Sequence, residues 1–203
     1  MSKHSAIEKI EALSLARPRS GDKQKAILDA ALQICAERGI GAAPTSAISK
    51  AAGIAEGSLF TYFKTKDDLL NELYLKLRRE FSLHLTDFPH GEDARTRLRY
   101  IWDRFLKLGA EHPEQLKVLA QLRASGKLFK ENETPNFALV ELMKATSQGA
   151  EGGEPGKLPP EYLVLMLRAQ AEITMEFIKA HPESAEICRE LGFNMVWNGL
   201  TEK

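Results

Sequence analysis

Residues 45–66 read TSAISKAAGIAEGSLFTYFKTK, and the side-chain types gathered there suit contact with a phosphodiester backbone and with base edges. On a helix running from about Glu56 to Phe63, Gly57, Ser58, Thr61 and Tyr62 fall at i, i+1, i+4 and i+5. They make a small, hydroxyl-rich surface opposite Leu59 and Phe63. Such side chains approach bases or donate to phosphates at little desolvation cost, and Lys64 and Lys66 add positive charge at the edge. Two short helices joined across Gly53-Ile54-Ala55 have the spacing of a helix-turn-helix. Glycine permits the tight turn, Ile54 can plug the gap between the helices, and the second helix is left free to enter a groove. By itself the pattern is weak, because any corner between two helices can resemble it.

Other residues with chemical potential are sparse. Arg168 and Glu172 lie four apart in a strongly apolar helix, either as an i, i+4 pair satisfying each other or as polar anchors for a ligand. The five histidines are scattered singly. Two of them begin the tripeptide His-Pro-Glu at 112–114 and 181–183, where Pro is placed to open the next helix. Cys35 and Cys188 are 153 positions apart and make no metal-ligand spacing, so both are expected as buried thiols in a reducing cytosol. No GxSxG, Walker, GxGxxG or HExxH pattern occurs. The expectation is a protein that is not an enzyme and takes no cofactor and no metal.

The elements that must position these residues all read as helix. The first opens near Ser20, carries Ile27, Ala30, Ala31 and Ile34 at helical spacing and closes at Gly39. A short segment follows, with Thr45 as N-cap and Gly53 as the break, then the helix of about Glu56 to Phe63. A long helix from about Lys66 to Phe88 bears the stripe Leu70, Tyr74, Leu77, Phe81 and Leu85. Leu98, Ile101, Trp102, Phe105 and Leu108 make another amphipathic helix. A weaker one is expected at 135–147, and the Gly- and Pro-rich stretch 147–160 reads as a mobile loop. The last two helices, about 160–180 and 183–200, are apolar on more than one side. In the final one Ile187, Leu191 and Met195 occupy one face, and Phe193, Val196, Trp197 and Leu200 another. A helix apolar on two sides must be covered on two sides, which points to a homodimer through the last two helices.

Composition first argues against nucleic acid. Lys plus Arg number 28 and Asp plus Glu 28, a net charge of zero. The balance is a cancellation, however. Residues 17–66 hold eight basic and four acidic side chains, and residues 67–203 hold 18 and 22, so a front of +4 precedes a rear of −4. No apolar run approaches the ~18–20 residues of a membrane helix, and the first residues contain no secretory h-region. Membrane association is not expected, and a cytoplasmic, nucleoid-associated location is.

Residues 17–70 closely resemble the DNA-binding domain of TetR-family transcriptional regulators. The matching run is Thr45, Ile48, Ala51-Ala52-Gly53-Ile54, Glu56-Gly57-Ser58-Leu59-Phe60, Tyr62-Phe63, Lys66 and Leu69. Departures are Ala55, where the family prefers a Ser or Thr cap, and Phe60, where Tyr is common. The resemblance implies an all-α fold: a three-helix, helix-turn-helix domain at 17–66 and a larger helical ligand-binding and dimerisation domain at 67–203, after a flexible extension at 1–16. It implies that Thr45 and Ser46 contact phosphates, that Gly57, Ser58 and Thr61 face the groove, and that Tyr62 and Lys66 contact the backbone. Arg17 and Arg19 look like a short basic arm laid against DNA, or else a solvated tail. Tyr100-Ile101-Trp102, the Ala171–Phe177 stretch and the ending LGFNMVWNGLTEK are similar to RamR-type multidrug-sensing repressors. The implied ligand is a small lipophilic compound. Candidate lining residues are Tyr74, Leu77, Phe81, Leu98, Trp102, Val164, Leu167, Arg168 and Ala171, against the plainer reading that most are core. Double-stranded operator DNA, bound as a pseudo-palindrome, is the implied partner. A DNA-binding dimer controlled by a protein partner, or acting architecturally, is the competing reading.

Overall fold

The computed structural model describes residues 20–84, 89, 91–132, 140 and 159–201. The expected N-terminal extension, Arg17 and Arg19, all of the 135–147 helix but Val140, most of the 147–160 loop and the end of the long helix beyond residue 84 lie outside them. Every element among the described residues is helical, and the chain divides between Leu69 and Leu70 into two compact units.

The first unit contains α1 (Ser20–Arg38), α2 (Thr45–Ala51), α3 (Glu56–Tyr62) and the first turn of α4 (Lys66–Leu83). Ile27, Ala30, Ala31 and Ile34 recur at helical spacing along α1 and all are buried, so an apolar stripe rather than propensity holds the helix. Gly39 ends it at φ +81°, its N–H on the Cys35 carbonyl at 2.8 Å. The turn after α2 is a Schellman motif. Ile54 N–H donates to Ser49 O at 3.0 Å and Gly53 N–H to Lys50 O at 3.2 Å, with Gly53 at φ +69°. α2 packs on both α1 and α3, with Ile48, Leu59 and Phe63 buried.

The cap of α2 corrects the sequence expectation. Pro44, not Thr45, is the N-cap residue, extended at ψ 145°, and its carbonyl accepts from the N–H groups of Ala47 and Ile48. Thr45 spends its hydroxyl elsewhere, donating to Glu56 Oε1 at 2.8 Å. At the start of α4, Thr65 and Asp68 cap reciprocally. The Asp68 N–H donates to Thr65 Oγ1 at 3.0 Å and the Thr65 N–H to Asp68 Oδ2 at 2.9 Å.

The second unit holds the rest of α4, α5 (Ala94–Glu111), α6 (Pro113–Ala124), a 3-10 turn Lys130–Asn132, α7 (Pro160–Ala180), a 3-10 turn Pro182–Ser184 and α8 (Ala185–Thr201). Pro113 opens α6 as expected. Pro182 opens only the short 3-10 turn, closed by Ser184 N–H on His181 O at 3.0 Å, so α8 starts at Ala185. Leu98, Ile101, Trp102, Phe105, Val164, Leu167 and Phe193 lie in one buried cluster. Trp102 is completely buried, and its indole N–H donates to the Arg189 carbonyl at 3.1 Å. Gly192 admits the ring, because a Cβ there would stand 2.7 Å from Trp102 Cζ2. Ion pairs flank this contact: Arg99 with Glu190, and Arg189 with Asp103 at 2.9 Å.

A buried amide ties α4 to the segment after α6. Asn71 donates to Lys127 O at 3.0 Å, and its Oδ1 accepts from Phe129 N–H at 2.8 Å and Asn132 Nδ2 at 2.9 Å. Cys35 is buried as expected, and burial pushes its thiol pKa up. Cys188 is half-buried, a correction, since it follows the exposed Ile187 on α8.

Two stability outcomes follow from the packing. Gly192→Ala and Gly199→Ala both gain helix propensity, about 1 kcal/mol. Only the first forces a Cβ into the Trp102 ring, whereas the second meets nothing nearer than Met166 Cε at 3.7 Å. Gly192→Ala should therefore be less stable than Gly199→Ala by about 1–3 kcal/mol in urea unfolding; equal midpoints and slopes would contradict the close approach. The second outcome concerns acid. The Arg99 hydrogen bond holds the Glu190 carboxyl below its ordinary range, and the Thr96 N–H does the same for Asp93. Depressed folded values mean stability that is present above the unfolded carboxylate pKa and lost as pH falls through the folded ones. The melting temperature should fall below about pH 4, and less steeply in Glu190→Gln.

Candidate nucleic-acid interface and effector site

On α3 the buried and exposed sides separate as the spacing predicts. Leu59 and Phe63 are buried, at 0% and 2% exposure, while Gly57, Ser58 and Thr61 are exposed together on the other side. Tyr62 is half-buried at the helix end. The cap residue Ala55 makes no side-chain cap bond. The tie from Thr45 to Glu56 replaces it as a link at the N-terminal end of α3, joining the first residues of α2 and α3. Ser46 is exposed and Thr45 half-buried. Lys64 is exposed, and Lys66 is half-buried with Nζ 3.4 Å from the Gly41 carbonyl.

Phe60 is the residue that sequence reasoning undervalued, because it entered only as a departure from the common Tyr. Its ring is 43% exposed. Helical spacing puts it three before Phe63 and one before Thr61, on the flank of the groove-facing set. An exposed aromatic there offers apolar contact of the kind that thymine methyl groups accept.

The effector candidates lie in the second unit, and most are packed core. Tyr74, Leu77, Leu98, Trp102, Val164, Leu167 and Ala171 are all at most 5% exposed. Phe81 is half-buried, with its ring edge-on to Phe105 at 4.6 Å. Arg168 is the polar exception. Its Nε lies 3.7 Å from Glu172 Oε1, so the i, i+4 pair exists, yet the shorter contact to that oxygen is from Arg123 at 2.7 Å. Burial pulls the Arg123 guanidinium pKa below its ordinary value, and the Arg168 charge adds to this, while Glu172 opposes it. Sequence reasoning missed Arg123 because it sits 49 residues from Glu172, with no periodicity to link them.

An open cleft of about 350 Å³, lined by Asp93, Arg95, Thr96, Arg99, Glu190 and Phe193, lies at the start of α5. No local pattern announces it, since its wall joins Asp93, Arg95, Thr96 and Arg99 to Glu190 and Phe193, almost a hundred positions on. Among the described residues no group of three or more His, Cys, Asp or Glu could hold a metal ion, and no helix is long and apolar enough to cross a membrane. On the last two helices Ile173, Phe177, Ile187, Leu191 and Met195 are exposed, at 62%, 47%, 65%, 54% and 62%. Phe193 and Val196 of α8 are buried. The two-sided apolar pattern of α8 is therefore real, with one side inward and the other open.

Comparison with known proteins agrees with this geometry. Residues 27–73 match the family model "Bacterial regulatory proteins, tetR family". The chain is 29% identical over 136 residues to the fatty acid metabolism regulator protein of Bacillus subtilis, covering 65% of this chain and 70% of that one. It is 32% identical over 170 residues to the HTH-type transcriptional regulator YhgD of Bacillus subtilis, covering 79% of this chain and 87% of the relative. The fold is shared with a putative tetR family transcription regulator from Shewanella sp. PV-4, at TM-score 0.74 and 24% identity, covering 87% of this chain and 97% of that one. A match of that extent to a full-length relative, over an N-terminal helix-turn-helix and a second helical unit, settles the assignment: the chain belongs to the TetR family of transcriptional regulators.

Proposed function

We propose that the protein is a ligand-responsive repressor. It binds a pseudo-palindromic operator as a homodimer and is released by a small lipophilic compound. The observation that carries this reading is the face of α3: Gly57, Ser58 and Thr61 exposed beside an exposed Phe60, over a fully buried Leu59. Among the described residues that surface stays exposed, and its residue types suit a major groove. Tyr62, Ser46, Lys64 and Lys66 supply backbone contacts in this proposal, as does Thr45 once its hydroxyl turns from Glu56, and Arg17 and Arg19 a basic arm. The exposed apolar face of α7 and α8 serves as the dimer seam. A symmetric dimer presents two recognition helices to successive turns of the groove, so their separation decides affinity. α4 continues from the first unit into the second. A ligand that prefers a tilted α4 would move the two heads out of register, and it shifts DNA occupancy only by its differential affinity, typically ~1–3 kcal/mol. Because Asn71 bonds the segment after α6, displacement of that segment would either carry α4 with it or break three hydrogen bonds.

The regulated genes in this reading encode drug efflux or its activator, in a cytoplasmic, nucleoid-associated protein. A second reading, control of fatty-acid metabolism, is favoured by the name of the Bacillus relative. Genomic footprinting with the purified protein separates the two, because the bound promoter names the pathway.

Two outcomes test the proposal. Tyr62→Ala and Lys66→Ala should weaken operator binding in gel-shift titration while the dimer persists, and Lys66→Ala should reduce the salt slope by about one; unchanged binding would remove those contacts. Leu191→Asp, placed in the open face of α8, should convert the dimer to monomer in sedimentation analysis with its helix content intact. A dimer of undiminished affinity would place the seam elsewhere.

A further inference from the structure

We propose that Glu56 is a specificity-determining residue, a carboxylate that opposes DNA contact except where a cytosine amino group donates to it. The inference rests on the reading of α3 as the groove-facing helix and adds a base preference to it. Glu56 is the only acidic residue in the two helices that would meet the duplex, Thr45–Ala51 and Glu56–Tyr62. It is exposed, and helical spacing sets it one residue before Gly57 and one turn before Phe60, beside the groove-facing set. The first residues of a recognition helix are those that reach base edges. In the free protein its Oε1 accepts the Thr45 hydroxyl at 2.8 Å, the same hydroxyl that the operator reading gives to a phosphate.

Those two roles of Thr45 exclude each other. The hydroxyl has one proton, so it donates either to the carboxylate or to a phosphate oxygen. Once it passes to phosphate, the carboxylate loses its hydrogen bond and stands about two hydrogen-bond lengths from a like charge. This cost falls on every sequence alike, because phosphates carry no base information. The gain that offsets it does not. A carboxylate only accepts, and in the major groove cytosine presents an N4 amino donor alone. Adenine sets an N7 acceptor beside its N6 donor, while guanine and thymine present acceptors that repel a carboxylate. Rejection of other bases by an unpaired charge thus adds to attraction for the right one.

The test uses the full-length protein in fluorescence-anisotropy titrations. The probes are the operator recovered by genomic footprinting, every single base-pair substitution in it, and one unrelated duplex. One C·G pair in each half-site should be required, its replacement weakening wild-type binding about tenfold. Glu56→Gln should bind the unrelated duplex about threefold tighter, a gain that fades with added salt. At the C·G position it should lose the preference for cytosine and acquire one for adenine, because an amide pairs bidentately with N6 and N7. Thr45→Val keeps the carboxylate and loses the tie, so it should weaken all duplexes by a similar factor while the cytosine preference stays. If Glu56→Gln strengthens every duplex equally and leaves the base profile unchanged, the carboxylate only repels phosphate. If Thr45→Val and Glu56→Gln flatten the profile alike and lower the melting temperature, the bond is a brace between the helices. Either result overturns the base assignment and leaves α3 as the reading helix. If the footprint protects no site, the operator reading itself falls, and this inference with it.

Discussion

The indole of Trp102, lying against a glycine, sets the geometry on which the second unit depends. The ring is fully buried and its N–H has a backbone acceptor on α8, so the indole gives up neither its apolar area nor its hydrogen bond. Gly192 fixes the distance between α5 and α8, and the Arg189 carbonyl fixes the rotation of α8. With Gly192, Phe193 and Val196 turned inward, Ile187, Leu191 and Met195 have to point outward. The Arg99–Glu190 and Arg189–Asp103 pairs lie in the same interface. Partly exposed, they are worth less than the packing and serve mainly to fix register. The open apolar face is thus a consequence of the inner contact, since one rigid helix cannot present both faces to one core.

The first unit meets a different constraint. α2 and α3 are seven residues each, far below the length at which a helix is stable in water. They persist because Ile48, Leu59 and Phe63 are buried and because their ends are secured. The Schellman turn at Gly53 closes α2, the Pro44 carbonyl opens it, and the Thr45–Glu56 bond joins the two N-termini. With so much done from the inner side, the outer face of α3 is free to carry Gly57, Ser58 and Thr61, which add little to folding.

Periodic signals were legible in the sequence, and contacts across long separations were not. The stripes of α1, α4 and α5, the breaks at Gly39 and Gly53 and the two-sided pattern of α8 depend on helical spacing, which one chain displays directly. The Thr65–Asp68 cap is also readable, as a hydroxyl residue three before an acid at a helix start. The Thr45 cap was misplaced because a threonine before an apolar run looks like a cap whether or not its hydroxyl is drawn away, here by a glutamate eleven positions on. Gly192 reads as an unfavourable residue in a helix until the tryptophan ninety positions earlier is placed against it. Arg123 similarly looks like an ordinary last-turn cation until α6 and α7 are seen to share Glu172.

The charge distribution bears on how DNA is approached. The zero total is +4 over residues 17–66 and −4 over residues 67–203, so long-range attraction to a phosphate backbone favours the end that carries α3. Screening reduces that attraction beyond ~8 Å at physiological salt. In the proposed reading, charge therefore brings the duplex close, and the exposed side of α3 completes the contact at short range.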